Sequence, residues 1–322
     1  MWNGAAPLRT PKTEERFLRR MQLEDRHRHD VERAIESATG RACTIVRSSP
    51  LAGGCINDSR VLELEDGGLL FLKANPSPAP SMFEAEAAGL RALSAAGVIR
   101  VPEVVAVGEE AELPFLVLEF VETGKKGPGY FAAFGAAFAQ LHQATSAPRA
   151  EGAFGFRIDN YIGSTPQYNQ WNTSWVDFWR DNRMMPQLKL LQRKGMVDVL
   201  FLRLGERLME RLPELLGQPD EPPCLLHGDL WSGNYLTDLQ GAPVLIDPAA
   251  YYGRREADLA MTMLFGGFDR TFYDAYQAEW PLEPGASDRL AIYRLYHLLN
   301  HMNLFGQSYT AGCLDILRRY GS

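Results

Sequence analysis

Apolar residues recur along this chain with two different spacings, and the change from one to the other divides it. Between Cys43 and Phe120 they come in short β-type runs: Thr44-Ile45-Val46, Val61-Leu62-Glu63-Leu64, Leu69-Leu70-Phe71-Leu72, Val104-Val105-Ala106-Val107 and Phe115-Leu116-Val117-Leu118. Glu65-Asp66-Gly67-Gly68 supplies a hairpin turn between the second and third runs. Residues 81–96 carry helical spacing, which predicts one helix inserted after the third strand of a five-stranded antiparallel lobe. After Glu122, the stretch Thr123-Gly124-Lys125-Lys126-Gly127-Pro128-Gly129 reads as a hinge. Helical periodicity then runs over residues 130–145, 174–194 with a kink at Pro186, 197–216 and 286–305. Ahead of the strands, Val31, Ala34 and Ile35 predict a short helix over residues 30–36, capped by Asp30 and stopped by Gly40. The expected class is α+β in two lobes, with a polar, charge-rich arm over residues 1–28 that reads as mobile or a loosely attached helix. An N-terminal lobe over 29–122 and a mostly helical C-terminal lobe over 123–322 complete it.

Composition narrows the function classes. At 46% hydrophobic and 23% charged residues, the chain has the means to bury a large core. Its formal net charge of -7 argues against a nucleic-acid partner, which selects a basic face. No run approaches the ~20 apolar residues of a membrane span, and the N-terminus lacks a signal-peptide core, so a cytoplasmic protein with no membrane partner is expected. Cys43, Cys55, Cys224 and Cys313 are scattered without a CxxC pair, which predicts free thiols in a reducing compartment, with Cys55 set apart below.

The chemistry concentrates in Leu225-Leu226-His227-Gly228-Asp229-Leu230-Trp231-Ser232-Gly233-Asn234 and in Val244-Leu245-Ile246-Asp247-Pro248. Phosphoryl transfer needs a carboxylate to align the acceptor hydroxyl and take its proton, a role that fits Asp229. It also needs hard oxygen ligands for Mg²⁺, and Asn234 and Asp247 fit. Asp229 and Asn234 stand five apart, the spacing of an H-x-D-x-x-x-x-N catalytic loop, and Asp247 closes an apolar strand further on. His227 is expected to brace that loop by hydrogen bonds. Asp258 reads either as a plain helix N-cap or as an anchor of the loop.

ATP as phosphoryl donor calls for a lysine on the third strand and a glutamate on the next helix, and Lys73 ends Leu69-Leu70-Phe71-Leu72. Of two candidate partners, Glu84 belongs to the capping box Ser81-Met82-Phe83-Glu84. Glu86 shares a face with Leu90 and Leu93 and is the better choice. Gly53 and Gly54, in Leu51-Ala52-Gly53-Gly54-Cys55-Ile56-Asn57-Asp58, are placed to let backbone amides approach the phosphates. The Glu119 carbonyl and Val121 amide are candidates for the adenine edge.

These residues resemble the fructosamine kinase (ketosamine-3-kinase) family, related in fold to aminoglycoside and choline kinases. The resemblance spans residues 53–306 and includes the tryptophan inside His227-Gly228-Asp229-Leu230-Trp231-Ser232-Gly233-Asn234, Ile246-Asp247-Pro248-Ala249 and Tyr251-Tyr252-Gly253-Arg254-Arg255-Glu256-Ala257-Asp258. It continues in Leu264-Phe265-Gly266-Gly267-Phe268, Tyr293-Arg294-Leu295-Tyr296-His297-Leu298-Leu299-Asn300-His301, Gly53-Gly54-Cys55-Ile56-Asn57, Met82-Phe83-Glu84-Ala85-Glu86 and Asp159-Asn160-Tyr161-Ile162-Gly163. Arg254, where the family pattern suggests histidine, and the long start of the chain depart from it. The resemblance implies a protein-kinase-like fold. It also implies ATP-dependent phosphorylation of the 3-hydroxyl of a fructosamine or ribulosamine, free or on a protein lysine, followed by loss of the sugar from the amine. Trp231, Tyr161 and Trp175 are the candidate sugar contacts, since aromatic rings suit a sugar's apolar face. The alternatives are another small-molecule kinase of this fold, acting on an aminoglycoside, choline or a thio-sugar, and a nucleotide-binding scaffold without transfer. Cys55, between Gly54 and Ile56 in the phosphate-covering loop, is a redox candidate whose disulfide with a second copy would tie activity to oxidation and form a homodimer.

Overall fold

A computed structural model of the chain describes residues 25–51, 57–79, 81–109, 111–146 and 154–322. The loop residues Gly53, Gly54 and Cys55, and most of the charged arm, lie outside them. The described residues form two compact units, one running to Glu84 with Val104–Phe120, the other comprising Ala85–Glu103 and Val121–Ser322.

The first unit is a five-stranded sheet with a helix on it. Strands β1 (Ile45–Pro50), β2 (Asp58–Leu64), β3 (Leu69–Ala74), β4 (Val104–Gly108) and β5 (Phe115–Glu119) run antiparallel in the order β1-β2-β3-β5-β4. Helix α1 (Asp25–Thr39) sets Val31 and Ile35 into a core with Leu62, Leu72, Phe115 and Val117. Its Glu32 and Glu36 carboxylates accept hydrogen bonds from the Ile45 and Cys43 amides at 2.8 and 2.9 Å, tying the helix to the start of β1. The helix begins at Asp25 and not at Asp30, so residues 25–28 belong to it and not to an arm.

Helix α2 (Met82–Ala96) follows β3 as expected, but its start is not the local capping box. Ser81 sits at φ +56°, and the Glu84 amide donates instead to the Glu109 carboxylate at 2.8 Å. From Ala85 onward the helix belongs with the second unit. The reason is close packing: a Cβ on Gly89 would lie 3.2 Å from both Pro248 and Ala250. The Leu245 amide also donates to the Arg100 carbonyl at 2.9 Å.

The second unit is built on helices α3 (Tyr130–Thr145), α4 (Trp175–Trp179), α5 (Met185–Arg193), α6 (Val199–Leu216), α7 (Glu256–Thr262), α8 (Arg270–Glu279), α9 (Ala286–Phe305) and α10 (Thr310–Tyr320). Short strand pairs lie between them: β6 (Asn160–Ile162) with β7 (Thr165–Gln167), β9 (Tyr235–Thr237) with β10 (Pro243–Leu245), and β8 (Cys224–Leu226) with β11 (Tyr251–Gly253). Helices α3 and α9 have the bounds that the apolar spacing predicts. The expected kink at Pro186 is a π-helical turn over Arg180–Met184, after which Pro186 sits in the first turn of α5, where its missing N–H costs nothing. No helix among the described residues is long and apolar enough to cross a membrane.

Helices α3 and α8 approach closely at Gly135, where an added Cβ would meet the Phe272 carbonyl oxygen at 2.0 Å. A backbone atom cannot swing aside as a side chain does. Gly135→Ala is therefore expected to destabilise the protein by about 2–3 kcal/mol. An unchanged urea midpoint would mean that the helices separate freely.

Candidate active site

Strand β8 delivers His227, Gly228 and Asp229 directly at its C-terminal end, and a buried carboxylate holds that exit in place. The His227 and Gly228 amides donate to Asp258 Oδ2 and Oδ1, each at 2.7 Å. Asp258 is 1% exposed and lies inside α7, so it is the anchor of the loop and not an N-cap. Gly228, at φ +82°, is required here because a Cβ would lie 2.1 Å from the Ala249 carbonyl oxygen. Behind Asp258 stands His142 of α3, fully buried, with Nε2 3.3 Å from Asp258 Oδ2 and Nδ1 2.8 Å from the Tyr276 hydroxyl. Burial holds the imidazole below its ordinary pKa, so the neutral ring donates from Nε2 to the carboxylate and accepts from the tyrosine. His142 and Tyr276 escape sequence reading because a lone histidine on a helix's apolar face carries no spacing signal.

His227 braces the loop as expected. Its Nε2 donates to the Ile246 carbonyl at 2.9 Å, and its Nδ1 accepts from the Asp229 amide at 3.2 Å. One neutral ring thereby links the catalytic loop to the residue before Asp247, and burial lowers its pKa accordingly. The Ala249 amide returns a bond to the His227 carbonyl at 2.9 Å, and the Ile246 amide to the Asn234 carbonyl at 3.1 Å. Five backbone or ring contacts therefore fix Asp229, Asn234 and Asp247 on one frame.

Asn234 Nδ2 donates to the Asp229 carbonyl at 2.8 Å and to its Oδ2 at 3.2 Å. Committing the amide nitrogen in this way leaves the amide oxygen, the atom a hard cation prefers, as the remaining ligand atom. Asp247 is exposed and sits at φ +55°, immediately before Pro248. That conformation costs a non-glycine residue of order 1 kcal/mol and is kept where the surroundings enforce it, as at reactive sites. Burial, with the Asp247 charge second, pushes the Asp229 carboxyl well above the usual range, while the Asn234 bond opposes the shift.

Of the remaining expected residues, Lys73 lies on β3 between Ser59 of β2 and Leu116 of β5, and at 6% exposure it needs compensating acceptors. Glu86 is half-buried on α2, Glu119 closes β5, and Val121 is buried. Trp231 presents 38% of its surface, with the exposed Phe265 ring edge-on at 6.3 Å. Tyr161, on β6, is half-buried. Trp175 differs from expectation: it is 3% exposed, its Nε1 donates to the Tyr293 hydroxyl at 2.8 Å, and its ring stacks on Phe178. It is a core residue that a sugar cannot reach. Arg254 is also internal, donating to the Leu216 carbonyl. Cys43, Cys224 and Cys313 are buried free thiols, and burial raises all three, Cys313 to about 12, which makes them poor nucleophiles.

The fructosamine kinase family model matches residues 27–321. The chain belongs to the fructosamine kinase family. It is 41% identical over 286 residues to a chloroplastic protein-ribulosamine 3-kinase of Oryza sativa subsp. indica, covering 87% of this chain and 80% of that one. A crystal structure described as a fructosamine-3-kinase of Thermobifida fusca superposes with a TM-score of 0.79 at 34% identity, covering 89% of this chain and 97% of the other. The fold extends to the aminoglycoside phosphotransferase APH(4)-Ia, at a TM-score of 0.58 and 17% identity over 90% of this chain and 98% of that one. The protein-kinase-like α+β fold expected of fructosamine kinases is thus the fold of this chain.

Proposed function

We propose that this fructosamine kinase transfers the γ-phosphoryl group of ATP to the 3-hydroxyl of a ketosamine, fructosamine or ribulosamine, free or on a protein lysine. The observation that carries the reading is the loop in which Asp258 fixes His227 and Gly228 while Asn234 is bonded to Asp229. Asp229 orients the acceptor hydroxyl and takes its proton as the new O–P bond forms and the bond to the β-phosphate oxygen breaks, releasing ADP. Its raised proton affinity suits that task. Lys73 would hold the α- and β-phosphates with Glu86 as its partner. Gly53 and Gly54 would cover them, and the Glu119 carbonyl and Val121 amide would meet the adenine.

Among the described residues no three His, Cys, Asp or Glu side chains cluster as a metal cage. One carboxylate and one amide oxygen completed by phosphate oxygens is the donor set that fits Mg²⁺. Asp247 and Asn234 would hold it, and the ion would neutralise charge developing on the transferred group. The exposed rings of Trp231 and Phe265 offer a face for the sugar beside Asp229. Loss of the sugar from the phosphorylated product would free the amine.

The test is a panel of acceptors (a fructose-lysine analogue, a ribulose-lysine analogue, an aminoglycoside and choline) with Mg-ATP, followed by phosphorus NMR of the product. Phosphate on the 3-hydroxyl of a ketosamine is expected. Turnover of the aminoglycoside or choline alone would replace the substrate class, and absence of turnover with all four would leave a nucleotide-binding scaffold. Asp247→Ala is expected to abolish turnover and to weaken Mg-ATP in titration calorimetry. Unaltered Mg-ATP affinity would move the metal elsewhere.

A further inference from the structure

A cavity of about 310 Å³ opens in the second unit between α2 and the strand that follows the Asp247 segment. Ala88 and Arg91 of α2 form one wall, Arg157 the opposite rim, and Phe156, Trp171 and Tyr252 the aromatic surface. Ala88 and Arg91 share a helix face, so the short alanine side chain leaves space beneath the guanidinium. The Tyr252 ring lies 6.4 Å from Phe156 and 6.1 Å from Trp171, tilted by 31° and 35°, so the three rings form one shallow concave face.

The floor is fixed in advance by main-chain bonds. Gly155 and Tyr252 exchange two, at 2.8 and 3.0 Å, Phe154 and Asn172 exchange two, at 2.9 and 3.0 Å, and the Phe156 amide donates to the Asn169 carbonyl at 2.9 Å. No Asp or Glu is among the lining residues, on a chain whose net charge is -7. Two guanidinium groups offer forked donors to the oxygens of a dianion. Ring faces suit the C–H face of a sugar or a flat base. The volume falls at the lower end of the range for small-ligand sites.

We propose that this cavity is a second ligand site, distinct from the Asp229 loop, for a small phosphate monoester bearing a sugar. Arg91 and Arg157 bind the phosphate, and the Phe156–Trp171–Tyr252 face takes the sugar or its base. Two sources share that chemistry: a sugar phosphate, of which the enzyme's own product under the function proposed above is one, and a nucleoside monophosphate. Occupancy would press on both α2, which carries Glu86, and β11, whose partner strand β8 leads into Asp229.

Titration calorimetry tests the site without relying on turnover. The protein is first saturated with Mg²⁺ and a non-hydrolysable ATP analogue, so that the nucleotide site is filled. Fructose 6-phosphate, AMP, inorganic phosphate, fructose and adenosine are then titrated in turn into wild type, Arg91→Gln, Arg157→Gln and the double variant. Saturable binding of fructose 6-phosphate, AMP or both is expected, weakened roughly tenfold by each arginine substitution, while fructose and adenosine do not bind. Whichever ester binds more tightly identifies the source. Both arginines are exposed, so the variants should melt as wild type does, which a thermal scan checks. Absence of saturable binding by both esters at millimolar concentration, equal affinity in the double variant, or inorganic phosphate binding as tightly as the esters would each overturn the proposal. A protein that phosphorylates no ketosamine would leave these outcomes unchanged, so the two readings fail separately.

Discussion

Asp229→Asn is expected to lower kcat by roughly 10²–10⁴ while leaving the protein as stable as wild type or more so. The first half follows from chemistry: an amide keeps the shape and can still accept from Asn234, but it cannot take the acceptor's proton. The second half follows from the electrostatics of the site without metal. Burial and the charge on Asp247 both disfavour the ionised Asp229, so removing its charge relieves a repulsion and breaks no pairing with a cation. Loss of activity with retained or raised melting temperature separates a chemical role from a structural one. Steady-state kinetics beside a thermal scan measures both, and a fall in kcat under tenfold would remove Asp229 from the proton-transfer role.

Asp258→Ala should behave in the opposite way, losing stability first. The carboxylate is 1% exposed and accepts from two backbone amides and one imidazole. Its removal strands the His227 and Gly228 amides and the His142 N–H in a buried space. Deleting one member of such a buried charged network costs about 3–5 kcal/mol, which corresponds to a melting temperature lower by roughly 5–15 °C. Turnover should fall as well at temperatures where the variant remains folded, because Asp229 follows directly on the two released amides. Asp258→Asn keeps one acceptor oxygen and turns an N–H toward a second donor, so it should fall between wild type and alanine. Stability of the alanine variant within about 1 kcal/mol of wild type would show that water or a neighbour replaces the anchor.

The contrast between these two aspartates marks where the sequence is readable. Asp229, Asn234 and Asp247 are legible because their reaction chemistry fixes residue type and spacing within one short stretch. Asp258 is legible only as a choice between cap and anchor, since the deciding partners lie about thirty residues upstream. His142 leaves no trace at all, because its partners, Asp258 and Tyr276, are more than a hundred residues away in the chain.

The same division runs through the fold. Helices α3 and α9 are readable to the residue because an uninterrupted apolar stripe meets a glycine next to one or both ends. The start of α2 is misread because a local Ser-x-x-Glu pattern competes with Glu109, a partner that no short window contains. Trp175 is misread for a related reason: an aromatic residue near a motif looks the same in sequence whether it faces a ligand or Tyr293.

The π-helical turn between α4 and α5 has a consequence for how this part of the chain tolerates change in length. Arg183 lies within that turn, its guanidinium 4.0 Å over the Tyr251 ring and 4.6 Å over Phe178, with one arm on the Asn169 side-chain oxygen at 2.8 Å. A π turn holds one residue more than the α register needs. Deleting a single residue there would let the helix close into regular α geometry and would rotate everything beyond it by about 100°. Arg183 would then swing out from beneath Tyr251, four residues past the metal-ligand candidate Asp247. Insertions and deletions in this helix therefore act on the wall of the phosphotransfer site as discrete angular steps, whereas most substitutions on its outer face leave that wall where it is.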